Sequence, residues 1–209
     1  NFENQGLSID VSLHIGSFIA VLTYFYKDIF NFFENRKLFI KIIISSIPVI
    51  LIGYVLVRTN FIEELRNIKI IAWMTIVFGI LLYISDRFKL KKEIKNNFDF
   101  KAVLIIGFFQ AISLIPGVSR SGITITAARL LNFKRFDSAK ISFLLSIPTL
   151  AAVSIYGLNN IFLQEDLDFS IINLFSIFIS FLFSFFTIKF FLGYIQKFNL
   201  NLIICYRII

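Results

Sequence analysis

The sequence predicts an all-α polytopic membrane protein. Hydrophobic residues make up 57% of its 209 residues, the mean hydropathy is +0.82, and charged residues make up only 16%. A soluble domain carries about 25% charged residues. The apolar residues also fall in runs of the roughly 17 to 25 residues that a helix needs to cross a bilayer. We therefore treat residues 1–209 as a single integral membrane domain.

Most of the apolar runs have the length of one membrane span. The runs that fit one span each are 8–26, 38–57, 68–85, 141–158 and 170–192. The run 100–131 is too long and too broken for one helix, because Pro116 and Gly117 interrupt it. A last apolar run begins near Leu200 and stops far short of a span.

The charges of the loops orient these spans. Residues 27–41, 86–101 and 129–140 each carry an excess of basic residues, whereas the charged residues of 159–169 are all acidic. By the positive-inside rule, the first three loops lie in the cytoplasm and the fourth lies outside. Segment 100–131 then has cytoplasmic loops on both sides, so we expect a re-entrant hairpin that enters the membrane and turns back. The same bias explains the net charge of +8, so no nucleic-acid partner is expected.

The spans are predicted to form an inverted repeat of three-helix units. Ser12 pairs with Ser142 at a fixed offset between two similar segments, and the two groups of spans start on opposite sides of the membrane. We assign residues 1–99 to the first repeat and residues 100–209 to the second. We expect the first repeat to be cut at its start, where another hairpin would lie, and the second to be cut at its end.

The predicted hairpin tip has the residues needed to hold a phosphate group. Arg120 is the only charged residue between Lys101 and Arg129, and a charge at membrane depth is expensive and marks a functional site. Its guanidinium carries a planar fork of donors that matches phosphate oxygens. The neighbouring glycines and hydroxyl residues are Gly117, Ser119, Ser121, Gly122 and Thr124. Glycines let the backbone approach a ligand, and we expect Ser119 to cap the second half-helix, whose N-terminus attracts anions.

Four segments of the chain resemble a known family. The run 110–124, Gln-Ala-Ile-Ser-Leu-Ile-Pro-Gly-Val-Ser-Arg-Ser-Gly-Ile-Thr, closely resembles a motif of the bacterial undecaprenyl-diphosphate phosphatases, which are also called bacitracin-resistance proteins. Segments 10–17, 142–149 and 206–209 resemble the same family. The resemblance therefore covers essentially the whole chain.

The resemblance implies a reaction and a location. These enzymes remove the terminal phosphate of undecaprenyl diphosphate at the outer side of the bacterial cytoplasmic (inner) membrane. The product is the monophosphate carrier of cell-wall synthesis, and the activity confers bacitracin resistance. The implied partners are the polyprenyl diphosphate lipid and the bilayer, with a homodimer as one option for the assembly. A divalent cation, Mg²⁺ or Ca²⁺, is the implied cofactor.

The resemblance also implies roles for the residues of the tip. Arg120 matches the family's essential arginine and would clamp the phosphoryl oxygens, with Ser119 and Ser121 beside it at the catalytic site. Four further residues would contact the substrate: Gly117, Gly122, Thr124 and Gln110.

The other half of the family's site is not found in residues 1–209. It consists of a Glu-x-x-x-Glu stretch followed by Ser-Ser-x-Gly-His, and we expect it to precede Asn1. The nucleophile, the catalytic histidine and the carboxylates that bind the cation would lie there, so residues 1–209 contain no predicted metal ligand and are expected to be inactive alone. His14, the single histidine, matches a different family position. We interpret it as a polar residue near the external interface, paired with Asp10 at helical spacing.

A transporter or lipid flippase is the alternative function. Inverted repeats with broken helices around a site at the membrane midplane are a transporter architecture. Arg120 would then bind an anionic headgroup without any bond being broken. A Glu-x-x-x-Glu stretch and a histidine motif in the complete protein would favour the enzyme.

Overall fold

The computed structural model describes residues 2–34, 36–59, 65–88, 91–163 and 171–208. Within these ranges the regular structure is helical, apart from an isolated parallel bridge between Lys92 and Phe133. The helices are α1 (Phe2–Tyr24), α2 (Tyr26–Glu34), α3 (Arg36–Arg58), α4 (Ile68–Asp86), α5 (Ile94–Asn97), α6 (Phe100–Ile112), α7 (Arg120–Leu130), α8 (Arg135–Leu163), α9 (Ile171–Lys197) and α10 (Asn201–Ile208). The all-α prediction is therefore confirmed.

Four of the described helices are long and apolar enough to cross a bilayer: α3, α4, α9 and the Arg135–Asn159 part of α8. Large hydrophobic side chains on these helices are exposed, among them Trp73, Ile155, Phe183 and Phe190. Apolar surface of this extent would be a liability in water, whereas it is the favourable surface against lipid. The chain is thus a multi-pass membrane protein.

Two helices differ in length from the predicted spans. The apolar part of α1, Ser8–Tyr24, is shorter than the four long helices, because a turn at Phe25 separates α1 from α2. Helix α8 begins at Arg135, six residues before the predicted span 141–158. Its first residues are polar, and a helix satisfies its own backbone hydrogen bonds equally well outside the hydrocarbon core.

The chain divides into two compact units, and the first comprises the described parts of residues 1–36 and 146–191. In this unit α1 and α9 approach closely through small residues. A Cβ atom at Gly16 would lie 2.4 Å from the carbonyl oxygen of Ile177. The hydroxyl of Ser17 lies 3.1 Å from that of Ser180 and 3.0 Å from that of Ser184. Small residues and hydroxyl pairs of this kind hold helices together in membranes.

The second unit comprises the described parts of residues 37–145 and 192–209. Here α3 packs against α6, where a Cβ atom at Gly107 would lie 2.5 Å from the carbonyl oxygen of Ser45. The Ser45 hydroxyl donates to the carbonyl of Val103 at 2.9 Å. Helices α4 and α6 both pack against α7, and α10 packs against α4.

Helices α6 and α7 form a hairpin. They have 13 and 11 residues, too few for the roughly 20 that cross a bilayer. The chain segments that precede α6 and follow α7 lie together, because the Lys92 amide donates to Asn132 and the Lys134 amide donates to Lys92, each at 2.9 Å. This is the geometry predicted for segment 100–131. The inverted repeat, its boundary at residue 99 and a second hairpin stay predictions.

Candidate phosphate-binding site

The backbone of the hairpin tip is tightly constrained. The chain leaves helical geometry between Ile112 and Arg120, and Gly117 has φ +93°. A Cβ atom there would lie 2.4 Å from the carbonyl oxygen of Ile71 on α4. Only glycine fits this conformation and this close approach. The predicted break at Pro116-Gly117 therefore lies within the observed turn, and Gly117 presses the tip against α4.

Ser119 caps α7, as predicted. Its hydroxyl oxygen accepts a hydrogen bond from the Gly122 amide at 3.3 Å. Its φ of +66° is unusual for a residue with a side chain and costs about 1–3 kcal/mol. Backbone strain of this kind is concentrated at functional sites.

Three consecutive residues at the start of α7 carry polar side chains: the N-cap Ser119, Arg120 and Ser121. Both serine side chains are exposed, and their hydroxyl oxygens lie 3.5 Å apart. Arg120 is half-buried, and every residue from Gly122 to Arg129 is buried. The structure therefore places one guanidinium and two exposed hydroxyls at a helix N-terminus, the combination that binds phosphate oxygens.

Thr124 lies one turn further along α7 and is buried. Its hydroxyl lies 2.7 Å from the hydroxyl oxygen of Ser142 on α8 and 2.9 Å from the carbonyl oxygen of Arg120. A hydroxyl donates one hydrogen at a time, and here the acceptors come from the protein. The geometry gives Thr124 a packing role between α7 and α8, and its contact with substrate stays a prediction.

Gln110 lies on α6 and is fully buried. Neither atom of its side-chain amide has a hydrogen-bond partner among the described residues. A buried polar group without a partner costs about 1–3 kcal/mol, and such groups call for an explanation other than stability. The unpartnered amide agrees with Gln110 as a polar contributor to the site, and its contact with the substrate stays a prediction.

Arg207 is a tip residue for which the sequence predicted no role, although it lies in the family-like segment 206–209. It extends from α10, and its Nη2 donates to the carbonyl oxygens of Gly117 at 3.1 Å and Val118 at 2.9 Å. A Cβ atom at Gly122 would lie 2.4 Å from its Nη1. The signal that could have revealed Arg207 is a single cation in the final apolar run, which is the criterion that selected Arg120.

A cluster of three charged residues, of which Asp86 and Arg129 are buried, holds the other end of α7. Nη2 of Arg129 lies 3.3 Å from Oδ1 of Asp86, and Nε of Arg135 lies 2.7 Å from the same oxygen. The second oxygen, Oδ2, accepts a hydrogen bond from the Leu200 amide at 3.1 Å. One carboxylate therefore joins the end of α4, the end of α7, the start of α8 and the segment before α10.

An exposed ion pair lies near this cluster. Lys134 donates a hydrogen bond to the carboxylate of Glu93. This bond lowers the pKa of the Glu93 carboxyl group below its ordinary value, and it raises the pKa of the Lys134 ammonium group. Both side chains are about half exposed, so water screens the pair and its contribution to stability is small.

His14 and Asp10 belong to the first unit, where both lie exposed on α1. No ion pair joins them in the described part of the chain, so the predicted pairing is not found there. Within the same described ranges, no three His, Cys, Asp or Glu side chains come together as they would to bind a metal ion. The described residues thus offer no fit for Mg²⁺ or Ca²⁺, and the divalent cation stays a prediction.

Fold and site together define a class of protein: a multi-pass α-helical membrane protein with an arginine and two exposed serines at the tip of a helical hairpin. The model of the family described as bacitracin resistance protein BacA matches residues 1–209. The chain belongs to this family, which confirms the resemblance seen in the motif of residues 110–124.

Several relatives carry the same name. The chain is 51% identical to the undecaprenyl-diphosphatase of Pelagibacter ubique over 209 residues, which cover all of this chain and 81% of that protein. It is 37% identical to the undecaprenyl-diphosphatase of Saccharophagus degradans over 221 residues, covering all of this chain and 82% of that protein. It is 38% identical to the undecaprenyl-diphosphatase of Elusimicrobium minutum over 216 residues, covering 99% of this chain and 81% of that protein.

Proposed function

We propose that this protein is an undecaprenyl-diphosphatase, which hydrolyses undecaprenyl diphosphate to undecaprenyl phosphate and inorganic phosphate. The observation that carries this proposal is the hairpin tip, where Arg120 lies between two exposed serines at the N-terminus of α7. The names of the relatives supply the substrate. On this proposal the product is the lipid carrier of cell-wall synthesis, and the activity confers resistance to bacitracin.

The reaction consumes one water molecule and breaks the bond between the terminal phosphorus and the bridging oxygen. The bridging oxygen stays with the lipid phosphate. As the bond breaks, negative charge spreads over the oxygens of the transferred phosphoryl group. A fixed cation and preorganised N–H donors stabilise that charge at no reorganisation cost.

Each tip residue has a distinct role in this scheme. The guanidinium of Arg120 binds two phosphoryl oxygens at once. The hydroxyls of Ser119 and Ser121 donate hydrogen bonds to the same phosphoryl group, and the amides of the first turn of α7 add a positive end of the helix dipole. Gly117 and Gly122 let Ile71 and Arg207 approach the tip closely, and a direct contact of the two glycines with the substrate stays a prediction.

We place the protein in the bacterial inner membrane with the tip facing the periplasmic or external side. Two of the basic loops, 86–101 and 129–140, lie at the base of the hairpin. By the positive-inside rule this base is cytoplasmic. Because the tip lies at the opposite end of α6 and α7, it points away from the cytoplasm. A homodimer stays a prediction.

Phosphate release by the purified full-length protein tests the proposal. We expect saturable release of inorganic phosphate from undecaprenyl diphosphate, and none from undecaprenyl phosphate, which lacks the anhydride bond. Arg58→Lys is a matched control for changes at Arg120, since Arg58 is an exposed arginine at the end of α3 that bonds Tyr54. Binding of the diphosphate without any phosphate release would contradict the enzyme and support the transporter or flippase.

A further inference from the structure

Arg207 is anchored against the turn of the hairpin. Its Nη2 donates to two consecutive backbone carbonyls, those of Gly117 and Val118. Val118 is fully buried, so one of these acceptors belongs to the packed part of the tip. The two bonds fix the position of the Arg207 guanidinium independently of any ligand.

The second terminal nitrogen of Arg207 is in a different situation. Nη1 is buried and has no hydrogen-bond partner among the described residues. A guanidinium is always charged, and each terminal nitrogen carries two donor hydrogens. Burial of such donors without an acceptor is costly. A phosphate oxygen is the acceptor that matches this geometry and charge.

Gly122 provides the space for this nitrogen. A Cβ atom at position 122 would lie 2.4 Å from Nη1 of Arg207 and 3.3 Å from the hydroxyl oxygen of Ser119. The nitrogen thus occupies the place of a side chain in the first turn of α7, next to the exposed Ser119. Any residue larger than glycine would push the guanidinium away from the tip.

We propose that Arg207 is a second substrate-binding arginine, which contacts a phosphoryl group of the polyprenyl diphosphate that Arg120 does not hold. The identity of the ligand rests on the proposed function. A diphosphate has two phosphoryl groups, and one guanidinium fork matches the oxygens of one of them. Two arginines at the tip therefore favour the diphosphate substrate over the monophosphate product. Because Nη1 is buried here, its contact with the ligand requires a local rearrangement of the tip.

The test measures binding without catalysis. The probes are farnesyl methylenediphosphonate, whose bridging carbon cannot be hydrolysed, and farnesyl monophosphonate, titrated calorimetrically into the full-length protein in detergent. We expect the wild-type protein to prefer the diphosphonate. Arg207→Lys should weaken diphosphonate binding by about 10- to 100-fold, the range for a hydrogen bond to a charged group, and leave monophosphonate binding nearly unchanged. Lysine can still donate to the carbonyl of Gly117 or Val118, but it has no second nitrogen.

Glycine variants give a matched pair for the same titration. Gly122→Ala should also weaken diphosphonate binding, because the new Cβ atom displaces Nη1 of Arg207. The double variant with Arg207→Lys should lose no more than either single one, since both changes remove the same contact. Gly193→Ala is the control, because a Cβ atom there would meet nothing within 4 Å. Its affinities should match those of the wild type.

Two results would overturn the inference. The first is a wild-type protein that does not prefer the diphosphonate. The second is an Arg207→Lys variant that binds both probes equally weakly, because Arg207 would then support the tip as a whole. A wild-type protein that prefers the diphosphonate yet releases no phosphate from undecaprenyl diphosphate supports Arg207 as a diphosphate-binding residue and contradicts only the proposed catalysis.

Discussion

Nη2 of Arg129 lies 3.3 Å from Oδ1 of Asp86, and both side chains are almost wholly buried. Asp86 also binds the Leu200 amide just before α10. The two helices that carry Arg120 and Arg207 are therefore held at one end by the same carboxylate. Arg120 lies nine residues from Arg129 along α7, a helical rise of about 13 Å. With the base of the hairpin at the cytoplasmic surface, as we propose, the tip would lie near the middle of a hydrocarbon core of about 30 Å.

Removal of the carboxylate charge should destabilise the protein. Asp86→Asn leaves the buried Arg129 without its counter-charge, and the loss of one partner from a buried pair costs about 3–5 kcal/mol. The measurement is the midpoint of thermal unfolding in detergent. Glu93→Gln removes a carboxylate from an exposed pair and should leave the midpoint almost unchanged at neutral pH. Equal shifts for the two variants would show that the Asp86 cluster does not hold the helices.

The packing of α3 against α6 should depend on Gly107. A Cβ atom at Gly107 would lie 2.5 Å from the backbone oxygen of Ser45, and backbone cannot rotate away as a side chain can. Gly107→Ala should therefore lower the unfolding midpoint, through overpacking of about 1–3 kcal/mol. Gly53→Ala is the control on α3, since its Cβ atom would make an ordinary contact of 3.5 Å with Leu114. An unchanged midpoint for Gly107→Ala would contradict the close approach of the two helices.

The hairpin tip should be reachable from outside the cell membrane. Ser121 is exposed at the tip, so Ser121→Cys should react with a membrane-impermeant thiol reagent in intact spheroplasts. The exposed Cys205 is replaced by alanine in every variant. Val118→Cys provides the protected control, because Val118 is fully buried. Reaction of Ser121→Cys only after the membrane is permeabilised would contradict the proposed orientation.

Much of the fold could be predicted from the sequence because membrane insertion is governed by local properties. Apolar run length, loop charge and helix-breaking residues are each read over a short window. These local properties predicted the long spans, the hairpin in segment 100–131 and the cap at Ser119. The end of α1 at Tyr24 was not predicted, because the apolar run 8–26 continues past it without a helix-breaking residue. In the structure the residues after Phe25 form the separate helix α2.

The remaining features depend on contacts between distant parts of the chain. The cluster around Asp86 and the approach of Arg207 to Gly117 join residues far apart in sequence, so no local pattern predicts these contacts. Thr124 was predicted to face the substrate because it is near Arg120 in sequence. Its hydroxyl lies one turn along α7 and bonds to Ser142, and its contact with the substrate stays a prediction. The sequence shows which residue types are present, whereas the helical phase decides which of them share a surface.

Each of the two serines of the tip should contribute less to the kcat of phosphate release than Arg120 does. Ser121→Ala removes one exposed hydroxyl, whose neighbour Ser119 lies 3.5 Å away and remains. We expect kcat for phosphate release to fall by less than the roughly 10²-fold that follows the loss of a main preorganised donor. A loss for Ser121→Ala as large as that for Arg120→Lys would assign Ser121 a central chemical role that this arrangement does not predict.

The most direct test of the central claim is the kcat of Arg120→Lys in the full-length protein. Lysine keeps the charge but loses the bidentate fork that matches the phosphoryl oxygens of the transition state. Phosphate release is measured against the concentration of undecaprenyl diphosphate, with folding checked by thermal unfolding and Arg58→Lys as the control. We predict a fall in kcat of about 10²-fold or more for Arg120→Lys and no change for the control. A wild-type kcat in a normally folded Arg120→Lys protein would contradict the claim and make Arg120 a structural residue.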